Sequence, residues 1–215
     1  MIDYKLLNQL LYDGKADEVR DLVEQALSEG HPVEEVLAEG LIEAMRVVGE
    51  DFKHNRIFVP QVLVAARAMK AGMAVLQPLL TASTVAKPLA TLVMGTVKGD
   101  LHDIGKKLVC MMAEGAGFRV IDLGVDQTAD RFIAAAREHD ADLVGMSALL
   151  TTTMPYMKVV IDAFAAAGLD NVKLCAGGAP VNETFANQIG AHGYAADASS
   201  AVDLFKRLRP SRSDP

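Results

Sequence analysis

The sequence predicts an α/β protein in which an N-terminal four-helix bundle precedes a five-stranded parallel sheet. The 215-residue chain has room for more than one hydrophobic core. Its first 80 residues show helical periodicity alone, whereas apolar strands alternate with helical segments from residue 89 onward. We therefore expect a helical domain over residues 1–80, a linker over residues 81–88 and an α/β domain over residues 89–215.

Four amphipathic helices are predicted in the first domain. Gly30 ends the second helix, and Pro32 lies where the first turn of the next helix accepts proline. The stretch before residue 89 has no periodicity and ends in proline, which is typical of a linker. The apolar stripes that define the helices lie within residues 4–11, 19–27, 33–52 and 60–76.

The second domain repeats a strand followed by a helix five times. This pattern predicts a parallel sheet with helices on both faces, and we expect the flavodoxin-like (Rossmann-like) strand order 2-1-3-4-5. The strands are predicted at residues 89–95, 119–123, 143–146, 172–175 and 193–195. The helices are predicted at residues 104–116, 129–139, 155–167, 181–190 and 198–208.

Composition excludes several classes of partner. The net charge of -7 argues against nucleic acid, which usually requires a basic surface. The start of the chain lacks the pattern of a signal peptide, and its two cysteines make no disulfide framework, so we expect a cytoplasmic protein. No apolar run approaches the ~18–20 residues that cross a bilayer, so we expect no membrane partner.

The residues with the most distinctive chemistry follow strands one, three and four. In an open parallel sheet, ligands bind beyond the carboxyl ends of the strands, where the strand order reverses. Strand one leads into Gly99-Asp100-Leu101-His102-Asp103-Ile104-Gly105. Strand three leads into Ser147, Leu149, Thr151 and Thr153, and strand four ends at Gly177 and Gly178.

A single imidazole, His102, is the candidate metal ligand. The five histidines are scattered and no Cys-x-x-Cys pair occurs, which disfavours a site where several side chains hold a bare ion. One imidazole suffices where a macrocycle supplies the other ligands. A dinucleotide is disfavoured because the Gly-x-Gly-x-x-Gly pattern is missing after strand one. Purely structural interpretations also stand: Asp100 or Asp103 capping a helix, and glycines serving tight turns.

These motifs resemble a known family. The stretch from Gly95 to Gly105, the run Ser147-Ala-Leu-Leu-Thr151 and the pair Gly177-Gly178 are similar to the cobalamin-binding module of methionine synthase and of corrinoid methyl-carrier proteins. Residues 52–62 resemble the helical cap that precedes this module in the same proteins. The resemblance extends over essentially the whole chain except its last few residues.

The resemblance implies a role for each motif residue. His102 would be the lower axial cobalt ligand of cobalamin, and Asp100 would accept its second ring N–H. Thr153 aligns with a serine that bonds this aspartate in methionine synthase. The predicted cofactor-binding residues of this domain are Gly99, Asp100, Leu101, His102, Asp103, Ile104, Gly105, Ser147, Leu149, Thr151, Thr153, Gly177 and Gly178.

Two further sets of contacts are implied by the resemblance. Small residues would leave a channel for the displaced nucleotide tail, and Ser147 and Thr151 would bond that tail. In the helical domain, Phe52, Val59 and Val62 would lie over the upper face of the corrin.

The implied function is that of a methyl carrier in one-carbon metabolism, cycling between Co(I) and methyl-Co(III). No substrate-activating or catalytic residue is recognisable, so the chemistry would lie on a substrate-specific methyltransferase and an acceptor methyltransferase or a reductive activase. Two alternatives remain: a cobalamin-dependent sensor or regulatory protein, and the small subunit of a radical mutase.

Overall fold

The chain folds as two compact units, whose main boundary lies between residues 87 and 88. The structure, a computed structural model, describes residues 2–82 and 88–210. Residues 83–87, the middle of the predicted linker, lie outside the described residues. The last helix of the first unit extends to Ala82, so it includes the first two residues that the sequence assigns to the linker.

The first unit is the predicted helical bundle. Helices α1 (Tyr4–Tyr12) and α2 (Ala16–Ser28) are followed by a long helix in three consecutive parts: α3 (Val33–Glu35), a π-helical segment (Val36–Ile42) and α4 (Glu43–Lys53). The bundle ends with α5 (Val59–Ala82). Helix α5 packs against α1, α2 and α4, which makes it the central helix of the bundle.

The π-helical segment departs from the predicted regular helix, and two of its carbonyl groups are bonded by a side chain of α1. The side-chain amide of Asn8 donates hydrogen bonds to the carbonyl oxygens of Glu39 and Gly40, at 2.9 and 2.7 Å. These bonds occupy two carbonyl groups in a segment where the regular α-helical hydrogen bonds between residues i and i+4 are interrupted. Gly40 also allows close packing, because a Cβ atom there would lie 2.6 Å from the side chain of Leu7.

The expectation that no apolar run approaches the length needed to cross a bilayer is wrong for helix α5. Its 21-residue stretch Val59–Leu79 has a mean hydropathy of 1.3 and is long and apolar enough to cross a membrane by length and composition. The sequence analysis overlooked it because Arg67 and Lys70 interrupt the apolar run. The core helix of a bundle passes the same test, and α5 packs against three neighbouring helices, with 39% of this stretch buried.

The second unit contains the predicted parallel sheet, with the strand order β2-β1-β3-β4-β5. The flavodoxin-like order 2-1-3-4-5 is therefore confirmed. The strands are β1 (Thr91–Thr96), β2 (Arg119–Asp122), β3 (Leu143–Ser147), β4 (Lys173–Gly177) and β5 (Gly193–Ala195). The helices are α6 (Ile104–Gly115), α7 (Ala129–Glu138), α8 (Tyr156–Ala166), α9 (Glu183–Ile189) and α10 (Ala198–Leu208).

Apolar packing fixes the helices on the sheet. One core cluster joins the central strands to α7, α8 and α9, and its large members include the fully buried Phe132 and Phe164. A Cβ atom at Gly145 in β3 would clash with the sulfur of Met94 in β1, while the ring of Phe205 on α10 would lie at an ordinary contact distance of 3.5 Å. Close contacts of this kind explain why small residues occur within the strands.

The strand register brings three of the predicted motifs to one edge of the sheet. Thr96 at the end of β1 pairs with Ser147 at the end of β3, and Ser147 pairs with Gly177 at the end of β4. Ser147 is thus the last residue of a strand that continues one residue beyond its predicted end. The segments that follow these three residues leave the sheet side by side.

Candidate functional site

The centre of this edge is the carboxylate of Asp100, which is fully buried. One carboxylate oxygen accepts the backbone N–H and the ring Nδ1 of His102, at 3.1 and 2.8 Å. The other oxygen accepts the backbone N–H groups of Leu149 and Leu150, at 2.8 and 3.3 Å, and the hydroxyl of Thr153 at 2.7 Å. Asp100 therefore joins the segment after β1 to the segment after β3.

The hydrogen bonds keep this carboxylate ionised. Burial by itself would raise the pKa of Asp100, but bonds from Thr153, from the Leu149 backbone and from His102 outweigh it, and the pKa lies well below its usual value. An ionised carboxylate only accepts hydrogen bonds, so Nδ1 of His102 carries the proton. In the neutral imidazole the lone pair is then on Nε2, the atom that would bind a metal.

The imidazole of His102 is accessible while its backbone is held in place. Its side chain is 51% exposed, in contrast to the buried aspartate beside it. The hydroxyl of Thr96, a fully buried residue, donates to the carbonyl oxygen of His102 at 2.9 Å. This combination orients the ring and leaves its free edge open to a ligand.

Exposed apolar side chains flank the imidazole. Leu101 is 72% exposed and Ile104 is 78% exposed, and Leu149 and Leu150, on the segment bonded to Asp100, are also exposed. Exposed leucine and isoleucine side chains on neighbouring segments are typical of a surface that binds an apolar ligand. The sequence analysis named three of these residues and missed Leu150, because nothing in its local sequence distinguishes it.

The glycines of the motif serve different purposes. A Cβ atom at Gly178 would lie 1.9 Å from the carbonyl oxygen of Ala148, and φ at Gly178 is +120°, so the backbone itself requires glycine there. At Gly177 a Cβ atom would lie 3.2 Å from the carbonyl oxygen of Ala195. By contrast, no atom lies within 4 Å of a Cβ placed on Gly105, which therefore faces open space.

The remaining predicted residues of this unit are near the same edge. Gly99 takes a left-handed conformation, with φ of +84°. Ser147 is half-buried, and its carbonyl oxygen accepts the N–H of Val97, whereas Thr151 is exposed. Asp103 forms an ion pair with Lys107 on α6, which lowers the pKa of Asp103. The roles assigned to Ser147 and Thr151 stay predictions.

The three predicted residues of the helical unit differ in exposure. Phe52, near the end of α4, and Val59, the first residue of α5, are half-buried. Val62 is fully buried. Their assignment to the upper face of a corrin stays a prediction.

An ion pair between a buried lysine and an exposed aspartate lies beside the site and was not predicted from the sequence. Lys106 follows Gly105 on α6, and its side chain is fully buried against the carboxylate of Asp122 at the end of β2. A buried ammonium group requires such a partner, because desolvation of an unpaired charge is costly. The pair attaches the first turn of α6 to β2. No sequence signal reveals it, since the two residues meet only in the folded sheet.

Within the described residues, no group of three or more histidine, cysteine or acidic side chains could hold a metal ion. The assignment of His102 as the metal ligand stays a prediction.

Comparison with known families identifies the family of this chain. Residues 90–203 match the family model described as the B12 binding domain, and residues 4–77 match a second model with the same description. A corrinoid protein of Desulfitobacterium hafniense (strain Y51) is 39% identical over 205 residues, which are 94% of this chain and 95% of that protein. The chain belongs to the corrinoid protein family.

Further relatives agree with this assignment. A dimethylamine corrinoid protein of Methanosarcina barkeri is 43% identical over 195 residues, 90% of this chain and 91% of that protein. A cobalamin-binding protein from Desulfitobacterium hafniense DCB-2 superposes with a TM-score of 0.78 and 30% identity, covering 98% of this chain and all of that one. The cofactor of this corrinoid protein is cobalamin.

The methanol:cobalamin methyltransferase complex MtaBC from Methanosarcina barkeri also matches the fold. Its matching chain superposes with a TM-score of 0.85 and 28% identity over 94% of this corrinoid protein and 77% of that chain. The described site fits a corrinoid: one oriented imidazole, surrounding apolar side chains and open space at Gly105. The cobalamin cofactor and the fold predicted from the sequence are thus confirmed.

Replacing Thr153 by valine tests the bonding of Asp100. Thr153→Val removes one donor from the buried carboxylate, and we expect the free energy of unfolding at pH 7 to fall by about 1.5–3 kcal/mol. Thr153→Ser keeps the donor and should retain most of the stability. Chemical denaturation of the cofactor-free protein measures both values, and equal stability of the valine variant and wild type would contradict the described bonding.

We also expect the effect of Thr153→Val on the free energy of unfolding to depend on pH. The folded pKa of Asp100 lies below its unfolded value, so the ionised group stabilises the fold above about pH 4 and that contribution is lost as the pH falls. The stability gap between wild type and Thr153→Val should therefore narrow at acid pH.

Proposed function

We propose that this corrinoid protein carries a methyl group between a substrate methyltransferase and an acceptor methyltransferase, with Nε2 of His102 as the lower ligand of cobalt. The single observation that supports it most is the bond from Nδ1 of His102 to Asp100, which leaves Nε2 available on an exposed ring. Relatives named as dimethylamine corrinoid proteins and the match to a methyltransferase complex favour the same role.

Bound cobalamin would supply a cobalt centre that gains a methyl group in its Co(I) form and returns to Co(I) when the methyl group leaves. The chain's own contribution is to hold and tune the ligand. Asp100 keeps the proton on Nδ1 and makes Nε2 a stronger donor. The exposed side chains of Leu101, Ile104, Leu149 and Leu150 would offer apolar contact to the bound cofactor.

The methyl-transfer chemistry requires partner proteins. Cys110 and Cys175 are buried, and burial raises the pKa of each thiol to about 12, so neither supplies a thiolate nucleophile. The described residues also contain no cluster of metal-ligating side chains that could activate a thiol acceptor. We therefore propose that two methyltransferases, and a reductive activase, act on the cofactor held by this chain.

Methyl transfer can be measured directly. The cobalamin-loaded, reduced protein is mixed with one purified methyltransferase of its own organism and a deuterium-labelled methylamine, methanol or methoxylated aromatic. The labelled methyl group should appear on the protein-bound corrinoid, by mass spectrometry, only when chain and methyltransferase are both present. If no cognate methyltransferase of these classes labels the bound corrinoid, the carrier role is contradicted.

Replacing His102 tests the ligand assignment. Electron paramagnetic resonance of the Co(II) form, prepared with ¹⁵N-labelled histidine, should show nitrogen coupling from the protein in wild type and none in His102→Ala. His139→Ala, a change at the end of α7 in the same unit, serves as the matched control and should retain the coupling. Coupling that persists in His102→Ala would exclude His102 as the ligand.

Replacing Gly105 separates folding from cofactor binding. An alanine Cβ there meets no atom, and alanine favours a helix by up to about 1 kcal/mol, so Gly105→Ala should leave the melting temperature of the cofactor-free protein equal or higher. If the nucleotide tail of cobalamin occupies that space, the same variant should bind cobalamin more weakly in a titration. Unchanged affinity would remove Gly105 from the binding site.

A further inference from the structure

The loop that holds His102 is supported by a second loop, which the sequence analysis did not single out. We call residues 97–103 the histidine loop and residues 123–128 the support loop. The carbonyl oxygen of Gly124 accepts the N–H of Thr96 at 3.0 Å, and the N–H of Gln127 donates to the carbonyl oxygen of Thr96 at 2.9 Å. These bonds fix the last residue of β1, from which the histidine loop begins.

Asp126 provides the contacts that reach furthest into the histidine loop. Its carboxylate accepts the N–H of Gly99 at 2.7 Å, and its own N–H donates to the carbonyl oxygen of Asp100 at 3.0 Å. Asp126 thus holds both Asp100, which bears the buried carboxylate, and Gly99, the residue before it. The side chain of Asp100 in turn holds the ring of His102.

The backbone of Asp126 is in an unusual conformation. Its φ is +56°, in the left-handed region that disfavours most side chains but that asparagine and aspartate tolerate better than most. The residue is exposed, so apolar packing does not account for this geometry. The two bonds to the histidine loop offset the cost of the conformation.

We propose that Asp126 is a positioning residue for the cobalt ligand: by holding Gly99 and the backbone of Asp100, it sets the orientation in which His102 meets cobalamin. This inference rests on the proposed function, in which His102 binds cobalt. Asp126 acts through Asp100 and has no role in the methyl transfer itself.

Three substitutions separate the carboxylate acceptor of Asp126 from its tolerance of a left-handed backbone. Asp126→Asn keeps an oxygen acceptor and tolerates the left-handed backbone. Asp126→Gly keeps the backbone conformation but loses the acceptor, and Asp126→Ala loses both. Asp140→Ala is the matched control, because Asp140 is also an exposed aspartate with a positive φ, of +48°, and lies at the end of α7 away from the histidine loop.

The first measurement needs no cofactor. Amide hydrogen exchange of the cofactor-free protein, followed by NMR, reports the N–H of Gly99. Its exchange should be several-fold faster in the Gly and Ala variants, and close to wild type in Asp126→Asn and in Asp140→Ala. Equal protection of Gly99 in all variants would show that the bond to Asp126 does not hold the loop.

The second measurement is the spectroscopic signature of the ligand. In the Co(II) form, the fraction of protein with histidine nitrogen coupling should fall in Asp126→Gly and Asp126→Ala and recover in Asp126→Asn. Cobalamin affinity should weaken by roughly 10-fold in the first two variants, the usual effect of losing a residue that supports a metal ligand. Melting temperatures of the cofactor-free variants identify any general loss of folding.

The outcomes distinguish this inference from the proposed function. If wild type itself shows no histidine coupling, the ligand assignment is wrong. If wild type shows it and Asp126→Gly keeps both full coupling and wild-type affinity, Asp126 does not position the ligand. A coupling loss in Asp140→Ala equal to that in Asp126→Ala would attribute the effect to general destabilisation.

Discussion

The buried carboxylate of Asp100 is the interaction on which the site depends. Five donors from two segments converge on it and stabilise its charge. The same bonds join the end of β1 to the end of β3 and fix the proton on Nδ1 of His102. Without this carboxylate, the two segments would lose their common partner and the imidazole its orientation. The structure thus links a stabilising contact of the fold to the chemistry of cobalt ligation.

Most of the fold could be predicted from the sequence, because it follows from local patterns. Alternating strands and helices predicted the parallel sheet, and its strand order is confirmed. The π-helical segment was not predicted, and its carbonyl oxygens at Glu39 and Gly40 are bonded by Asn8, which lies on another helix. Periodicity reports which face of a helix is apolar, and carries no information about such a tertiary contact.

The site shows the same division between local and long-range information. The motif around His102 and the spacing to Ser147 and Gly177 are visible in the sequence, and the register places the strand ends together. The supporting contacts are different: Asp126 and the pair of Lys106 with Asp122 meet their partners only after the sheet has formed. The glycines illustrate a further ambiguity. Gly178 is required by the backbone of Ala148, whereas Gly105 faces open space, and the two look alike in sequence.

The central claim is that Asp100 fixes the tautomer of His102 before any cofactor binds. ¹⁵N NMR of the histidine-labelled, cofactor-free protein tests it most directly, at a pH where the imidazole is neutral. We expect a protonated Nδ1, an unprotonated Nε2, and an Nδ1 proton that exchanges slowly or shows a scalar coupling across its hydrogen bond. A ring of His102 that carries its proton on Nε2, or that interconverts freely between the two tautomers, would contradict it.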